Sequence, residues 1–235
     1  MVDHEILIKK LTFYGIRGTP LEWFKSYLHG RRQIVKLDKV LSDPLPIDYG
    51  VPQGSILGPL LFLIFINDLC DMPLKMSPLL FADDTTLLLC GPNVDEFVPI
   101  VNQDLRTLSN WFNANKLLIN INKTQFMFFS LNRTLHNSTF NIVIDNSPIE
   151  RVHQTKFLGV VIDSGLTWTD HVSRIANKMS RNIGIINKVK NLIDEKSLIQ
   201  LYNTLVLPYL MYCHLIWGKC SQTNLNRLIR LQKKL

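Results

Sequence analysis

The spacing of apolar residues predicts helices and short strands in alternation, followed by a helical C-terminal region. Thr19-Pro20-Leu21-Glu22 is typical of a capping box with proline in the first turn, and predicts a helix that ends at Gly30. The apolar run from Leu60 to Leu69 predicts a helix that is buried on nearly every side. A longer amphipathic helix is predicted by apolar residues at helical spacing, namely Phe97, Val98, Val101, Leu105, Leu108, Trp111 and Phe112.

Short apolar or alternating runs predict β-strands between these helices. Strands are expected around Gln33–Leu37, Ile47–Val51, Gln125–Phe129, Asn141–Asp145 and Phe157–Ile162. Residues 79–89 place two apolar runs around Asp83 and Asp84, a pattern typical of a β-hairpin with the carboxylates at its turn, and with Phe81 in the core below. From Thr169 onward the spacing is helical, apart from a break at Pro208. We therefore expect an α+β body and a helical C-terminal domain.

Composition excludes several classes of protein. Of the 235 residues 46% are hydrophobic, which allows a substantial core and excludes a disordered chain. The apolar stretch Ile56–Ile66 is too short to span a bilayer, and the first residues lack the pattern of a signal peptide, so we expect a soluble intracellular protein without a membrane partner. The four cysteines form no C-x-x-C pair and lie among apolar residues, which predicts buried free thiols.

The charge is concentrated in the last third of the chain. Residues 151–235 carry 13 Lys and Arg against 4 Asp and Glu, whereas residues 1–150 carry 13 against 15. Such a basic region indicates a polyanionic partner, either nucleic acid or an anionic membrane face, although a lysine-rich helix can also be merely solvated. Helical spacing places Arg174, Lys178 and Arg181 on one face, and Lys188 extends the positive surface.

Asp83 and Asp84 are the first candidate for chemistry. Two adjacent carboxylates at a hairpin turn repel one another unless solvent or a divalent cation compensates them. Oxygen ligands grouped in this way suit Mg²⁺, which commonly takes one or two carboxylates and completes its shell with substrate phosphates. The alternative is an ordinary exposed turn, where Asp pairs are frequent. His4, His153 and His214 have no partner at metal-ligand spacing, so these three histidines are interpreted as structural.

The second candidate is the glycine-rich loop of residues 50–59. Gly50, Gly54 and Gly58 allow the backbone to approach a ligand closely, and the loop leads into the start of a helix, where free N–H groups attract phosphate. A purely structural turn is the alternative.

Together these segments resemble the reverse transcriptases of non-LTR retrotransposons. The resemblance is carried by Gly50-Val51-Pro52-Gln53-Gly54-Ser55-Ile56-Leu57-Gly58-Pro59-Leu60-Leu61-Phe62 and by Phe81-Ala82-Asp83-Asp84. It continues through Asn115-Lys116-Leu117, Asn120-Ile121-Asn122-Lys123-Thr124, Phe157-Leu158-Gly159, Leu207-Pro208-Tyr209-Leu210 and Trp217-Gly218. The resemblance implies a right-hand polymerase, with a partial palm of antiparallel sheet and packed helices at residues 1–165 and a helical, basic thumb-like region at residues 166–235.

The resemblance also implies roles for individual residues. Asp83 and Asp84 would bind two Mg²⁺ ions, with Mn²⁺ as a substitute, and Lys123 would be the general acid for pyrophosphate or a charge near it. Contacts to nucleotide and template are implied for Gln53, Gly54, Ser55, Arg31 and Arg32. The primer would be gripped at Phe157, Leu158 and Gly159, and Arg174, Lys178, Arg181 and Lys188 would follow the nucleic-acid backbone. The implied partners are an RNA template, a DNA primer and deoxynucleoside triphosphates, in the nucleus and cytoplasm.

One feature departs from the family pattern. The family's first catalytic aspartate would lie about nine residues before Asp3, upstream of Met1, so that Asp3 is not its equivalent. The fingers and the first palm strand would also lie upstream, in missing domains of a polyprotein, and we expect the chain by itself to be inactive. The alternatives are a non-catalytic nucleic-acid-binding remnant and an RNA-directed RNA polymerase, which shares the palm.

Overall fold

A computed structural model describes residues 2–130 and 139–234. These residues form a mixed α/β structure. The described residues divide into two compact units, each treated by itself below: unit 1 comprises residues 2–124 and 139–150, and unit 2 comprises residues 125–130 and 151–234.

The regular elements of the described residues are as follows. The helices are α1 His4–Phe13, α2 Thr19–Leu28, α3 Leu57–Ile66, α4 Phe97–Ala114, α5 Thr169–Val189, α6 Glu195–Leu205, α7 Leu207–Met211, α8 His214–Trp217 and α9 Gln222–Gln232. Short 3-10 helices occupy Asn67–Asp71, Val94–Glu96 and Ile121–Lys123. The strands are β1 Arg32–Gln33, β2 Lys36–Leu37, β3 Val40–Leu41, β4 Leu45–Pro46, β5 Ser77–Phe81, β6 Asp84–Leu88, β7 Gln125–Phe126, β8 Val143–Ile144, β9 Ser147–Pro148, β10 Glu150–Arg151, β11 Gln154–Phe157 and β12 Val160–Asp163.

The helices begin where local chemistry satisfies their first N–H groups. Asp3 caps α1 by accepting a hydrogen bond from the Ile6 N–H, and Asp194 and Ser221 cap α6 and α9 in the same way. The predicted capping box at Thr19 is wrong. Gly18 is the N-cap of α2 and no side chain caps that helix, because Thr19 already lies within its first turn.

The strands are shorter than the sequence predicted. The segment expected around Gln33–Leu37 divides between β1 and β2, which pair with β4 and β3 respectively. Residues 47–51 contain only one isolated bridge, between Asp3 and Tyr49. The single strand expected at Phe157–Ile162 is wrong, because a turn with positive φ at Leu158 (43°) and Gly159 (91°) folds this segment into the β11–β12 hairpin.

Each unit has its own core. In unit 1, fully buried side chains come from α1, α2 and α3, among them Leu7, Leu11, Leu28, Leu61 and Phe65. The prediction that the apolar helix is buried on nearly every side is wrong. One face of α3 packs on this core, whereas Leu60 and Leu63 on its other face are about half exposed.

Helix α5 organises the core of unit 2. Its apolar side buries Ile175, Met179 and Ile183 against partly buried side chains of α6, α7 and α9, while Arg174, Lys178, Arg181 and Lys188 are exposed. Two of the four thiols, Cys70 and Cys90, are exposed, so the prediction of buried cysteines is wrong for them. None of the described helices combines the length and apolar character needed to cross a membrane.

Candidate functional site

The aspartate pair lies at the turn of the predicted hairpin. Strands β5 and β6 pair from Ser77–Leu88 to Phe81–Asp84, which leaves Ala82 and Asp83 as the turn. Ala82 has a φ of 52°, in a region that disfavours L side chains, so the turn is held in a strained conformation of a kind that concentrates at functional sites. The hairpin is fixed below by Leu80, which packs on the core of unit 1.

Phe81 does not occupy the core, contrary to the sequence prediction. Along β5 the residues alternate, so that Pro78 and Leu80 are partly buried whereas Ser77, Leu79 and Phe81 are exposed. Phe81 is 61% exposed and shares its face with Asp84, its partner across the strands. The aromatic ring therefore flanks the candidate site.

Both carboxylates are free to bind an added ligand. Asp83 and Asp84 are exposed, and within residues 2–130 and 139–234 neither side chain has a hydrogen bond or an ion pair. The same ranges contain no group of three acidic, histidine or cysteine side chains able to hold a metal ion by themselves. Two adjacent carboxylates do fit Mg²⁺, which completes its shell with water and substrate phosphates.

The glycine-rich loop presents Gln53 and Gly54 at an exposed tip. Gly54 has a φ of 81°, which favours glycine. The far end of the loop is braced by Ser55, whose hydroxyl donates to the Pro52 carbonyl at 2.7 Å and accepts from the Gly58 N–H at 2.9 Å. Gly58 is required there, because a Cβ atom would lie 2.8 Å from the Pro52 carbonyl oxygen.

The loop and the hairpin pack on the same hydrophobic core. Val51 and Leu57, on either side of the loop tip, pack on the buried residues that also receive Leu80 of the hairpin. The backbone N–H of Met76, just before β5, donates 2.7 Å to the buried carboxylate of Asp104 on α4. Both candidate segments of unit 1 therefore pack on one hydrophobic core.

An unpredicted network surrounds the first residues. The Asp3 carboxylate, 6% exposed, accepts a 2.7 Å bond from the Lys116 ammonium. Burial acts to raise the pKa of Asp3, but the bonds from Lys116 and from the Ile6 N–H outweigh it and hold that pKa below its usual value. The same ion pair raises the pKa of Lys116. The N-cap pattern at Asp3 could have been read from the sequence, whereas a contact spanning 113 residues could not.

The remaining site residues predicted in unit 1 are separate from this network. The Arg31 guanidinium lies 6.0 Å above the ring of Tyr27, and Arg32 is exposed in β1. Lys123 is exposed at the end of its 3-10 helix, where its backbone N–H is capped by Asn120. No ion pair joins these three cations to a described carboxylate.

In unit 2, the turn of the β11–β12 hairpin is held by Tyr212. The phenol donates to the Leu158 carbonyl at 2.5 Å, and its ring packs so closely that a Cβ atom at Gly159 would lie 3.3 Å from it. Burial, with Cys213 beside it, raises the pKa of Tyr212, so the phenol keeps the proton that it donates. The turn predicted to contact primer is thereby ordered by a residue that sequence reasoning had not singled out.

His171 is a second buried group that the sequence did not reveal. It is 4% exposed at the start of α5, and its Nδ1 accepts a 3.1 Å hydrogen bond from the Val161 N–H. Burial, assisted by the charge of Arg174, lowers the pKa of His171. The neutral ring therefore links β12 to α5 through this hydrogen bond.

Comparison with known proteins identifies the family. A family model described as reverse transcriptase (RNA-dependent DNA polymerase) matches residues 1–162. The chain is 31% identical over 252 residues to the probable RNA-directed DNA polymerase from transposon BS of Drosophila melanogaster, covering 99% of this chain and 27% of that protein. It is 26% identical to the corresponding protein of transposon X-element from the same species, covering 90% of this chain and 24% of the relative.

A third relative comes from a different species. The RNA-directed DNA polymerase from mobile element jockey of Drosophila funebris is 27% identical over 221 residues, covering 90% of this chain and 24% of its own length. The chain thus spans about a quarter of the length of these curated relatives. These matches confirm the resemblance to non-LTR elements that the loop and the aspartate pair indicated. The chain belongs to the reverse transcriptase (RNA-dependent DNA polymerase) family.

Proposed function

We propose that this chain forms the palm and thumb-like part of an RNA-directed DNA polymerase that copies the RNA of a non-LTR retrotransposon into DNA. The observation that carries the proposal is the pair of carboxylates of Asp83 and Asp84, which have no partner among the described residues, at a strained turn on the same core as the Gln53–Gly54 loop. Residues 1–165 correspond to the palm and residues 166–235 to the thumb-like region. In this proposal the protein acts inside the cell, in the nucleus and the cytoplasm.

Asp83 and Asp84 would hold the catalytic Mg²⁺ ions, and among the described residues no third acidic, histidine or cysteine side chain completes a metal-binding group with them. When bound, the metal ions lower the pKa of the primer 3′-hydroxyl and stabilise charge on the leaving pyrophosphate. The strained turn keeps both carboxylates exposed and adjacent, so that both are accessible to metal ions. Lys123, exposed at the end of its 3-10 helix, would protonate the pyrophosphate or place a charge near it.

Other residues would position the nucleic acid. The exposed loop tip at Gln53 and Gly54 would contact the template base and the incoming nucleotide, with Ser55 bracing it from behind. Arg31 and Arg32 would touch the template backbone. In unit 2 the turn of Phe157, Leu158 and Gly159 would grip the primer, and the exposed cations of α5 would follow the phosphates.

Primer extension tests this proposal with two proteins. The first is the 235-residue chain. The second is an upstream-extended protein, in which the part of the transposon BS relative that precedes the matched region is joined to Met1, because we propose that this part supplies a further catalytic aspartate. With poly-rA template, oligo-dT primer and Mg²⁺, we expect the upstream-extended protein to incorporate dTMP and the chain alone to incorporate none, because the metal site needs carboxylates from both segments. Incorporation by the chain alone, abolished by Asp83→Ala and not by Asp95→Ala, would contradict the need for the upstream aspartate.

The alternatives predict different results in the same assay. A non-catalytic remnant would bind the RNA–DNA hybrid while the upstream-extended protein incorporated nothing. An RNA-directed RNA polymerase would extend the primer with ribonucleotides in preference to deoxyribonucleotides.

A further inference from the structure

The first residues of the chain bind both peptide groups of Gly50, where the glycine-rich loop begins. The Gly50 N–H donates to the Val2 carbonyl at 2.6 Å, and the Gly50 carbonyl accepts a 2.7 Å hydrogen bond from Nε2 of His4. His4 is only 7% exposed, so this bond is shielded from water. Gly50 has a φ of 89°, and the two bonds together fix the direction in which the chain enters the loop.

The residues that make these bonds are themselves held in place. Asp3 lies between Val2 and His4, pairs with Tyr49 in an antiparallel bridge, and accepts hydrogen bonds from the Ile6 N–H and the Lys116 ammonium. His4 is the first residue of α1, whose Leu7 and Leu11 are fully buried. The imidazole therefore reaches Gly50 from a helix that is packed on the core of unit 1.

The conformation of the loop tip depends on the contacts that hold the two ends of the loop. Within the part of the chain that the structure describes, neither Gln53 nor Gly54 makes a hydrogen bond that would fix the tip directly. One end is braced by Ser55 at the start of α3, and the other by His4 and Val2 at Gly50. Losing the bond from His4 would leave the Gly50 carbonyl without that donor, and the backbone at Gly50 would be less firmly held.

We propose that His4 is a positioning residue for this loop, which holds Gln53 and Gly54, through the Gly50 carbonyl, in the orientation that receives the incoming nucleotide. The inference rests on the proposed polymerase function, in which the loop tip contacts nucleotide and template. His4 touches no substrate in this role and transfers no proton. The hydrogen of this bond belongs to Nε2, because the Gly50 carbonyl can only accept.

Steady-state kinetics of the upstream-extended protein test the inference. His4→Leu keeps an apolar side chain of similar size but removes the donor, and should raise the KM for the deoxynucleotide about tenfold, the effect of one lost hydrogen bond of ordinary strength. The kcat and the Kd for primer–template should stay within about twofold. His4→Gln restores an N–H donor and should recover most of the loss.

Two results would overturn the inference. His29→Leu is the matched control, because its ring lies 6.4 Å from that of His4. The Nδ1 atom of His29 makes a 3.2 Å hydrogen bond with the Lys25 carbonyl, outside the loop. An equal rise in KM for His29→Leu, or an unchanged KM for His4→Leu in an active protein, would show that the bond to Gly50 does not position the loop.

Hydrogen exchange separates this inference from the polymerase function itself. In the 235-residue chain, His4→Leu should speed exchange of the Gly50 and Ser55 amides, which donate to the Val2 and Pro52 carbonyls, while the amides of α5 exchange as before. His4→Gln should restore the protection of both amides. Unchanged exchange at the loop would overturn the positioning role even if the protein polymerises. If the upstream-extended protein is inactive but exchange responds as expected, the polymerase proposal fails while the structural link between His4 and the loop stands.

Discussion

The exposed cationic face of α5 supports a quantitative prediction about nucleic-acid binding. The perturbation is the double charge reversal Lys178→Glu and Arg181→Glu in the 235-residue chain. The fold should tolerate it, because both side chains are exposed and the apolar side of α5 carries the core. The Lys178 ammonium lies 5.1 Å from the ring centre of Tyr209, a contact whose loss at an exposed site costs about 0.5–1 kcal/mol.

The expected magnitude follows from the number of cations on this face. Arg174, Lys178, Arg181 and Lys188 are exposed, and counterion release contributes about −0.9 per neutralised phosphate to the slope of log K against log salt concentration. If all four contact phosphates, their share of the slope is about −3.6, and removing two of the contacts should make the slope shallower by about 1.8. Binding at low salt should weaken accordingly, with little dependence on base sequence.

Fluorescence anisotropy of a labelled RNA–DNA hybrid across a salt series measures this slope. The control is Lys196→Glu with Lys219→Glu, which changes the net charge equally at exposed positions outside α5. We expect a shallower slope for the α5 variant and a slope close to that of the unmodified chain for the control. An unchanged slope for the α5 variant, or an equal change for the control, would refute the assignment of the duplex to this face.

Three further predictions concern stability and thiol chemistry. Burial and the charge of Arg174 lower the pKa of His171, so the unfolded state binds a proton more readily than the folded state. The free energy of unfolding should therefore fall as the pH drops from about 6.5 toward the folded pKa, and this group should not affect it above about pH 6.5. Urea titrations of His171→Phe should lack this pH-dependent loss of stability. Phe65→Ala should destabilise unit 1 by about 3–5 kcal/mol, because the ring is fully buried, and a smaller loss in denaturant titrations would mean that the core closes around the cavity. Cys70 and Cys90 should react with a thiol reagent in the folded protein, whereas Cys220, whose pKa is raised by burial, should react only on unfolding; equal rates would contradict the assigned exposures.

Local patterns predicted much of the fold where one face of an element meets the core. Helix α4 extends over Phe97–Ala114 as its apolar spacing indicated, and α5 begins at Thr169 with Ile175 and Met179 buried. The hairpin with Asp83 and Asp84 at its turn was also predicted, because two apolar runs around a polar centre leave few other arrangements.

The sequence predictions were wrong where contacts between distant parts of the chain decide burial or backbone conformation. Phe81 and the outer face of α3 are apolar yet exposed, and hydrophobicity alone does not show which face of an element meets a partner. The turn at Leu158 requires a positive φ at a residue that does not favour it, and the phenol of Tyr212 that supports it lies 54 residues away. The bonds from Lys116 to Asp3 and from His4 to Gly50 likewise join distant positions that no local pattern connects.

The most direct test of the account is the effect of Asp83→Asn on turnover and on binding in the upstream-extended protein. The substitution keeps the size of the side chain but removes a charged metal ligand, so it should act on the transition state. We predict that kcat falls by several orders of magnitude while the Kd for the RNA–DNA hybrid stays nearly unchanged, because phosphate contacts elsewhere supply the affinity. Near-normal turnover by this variant would contradict the account and would make the hairpin aspartates structural.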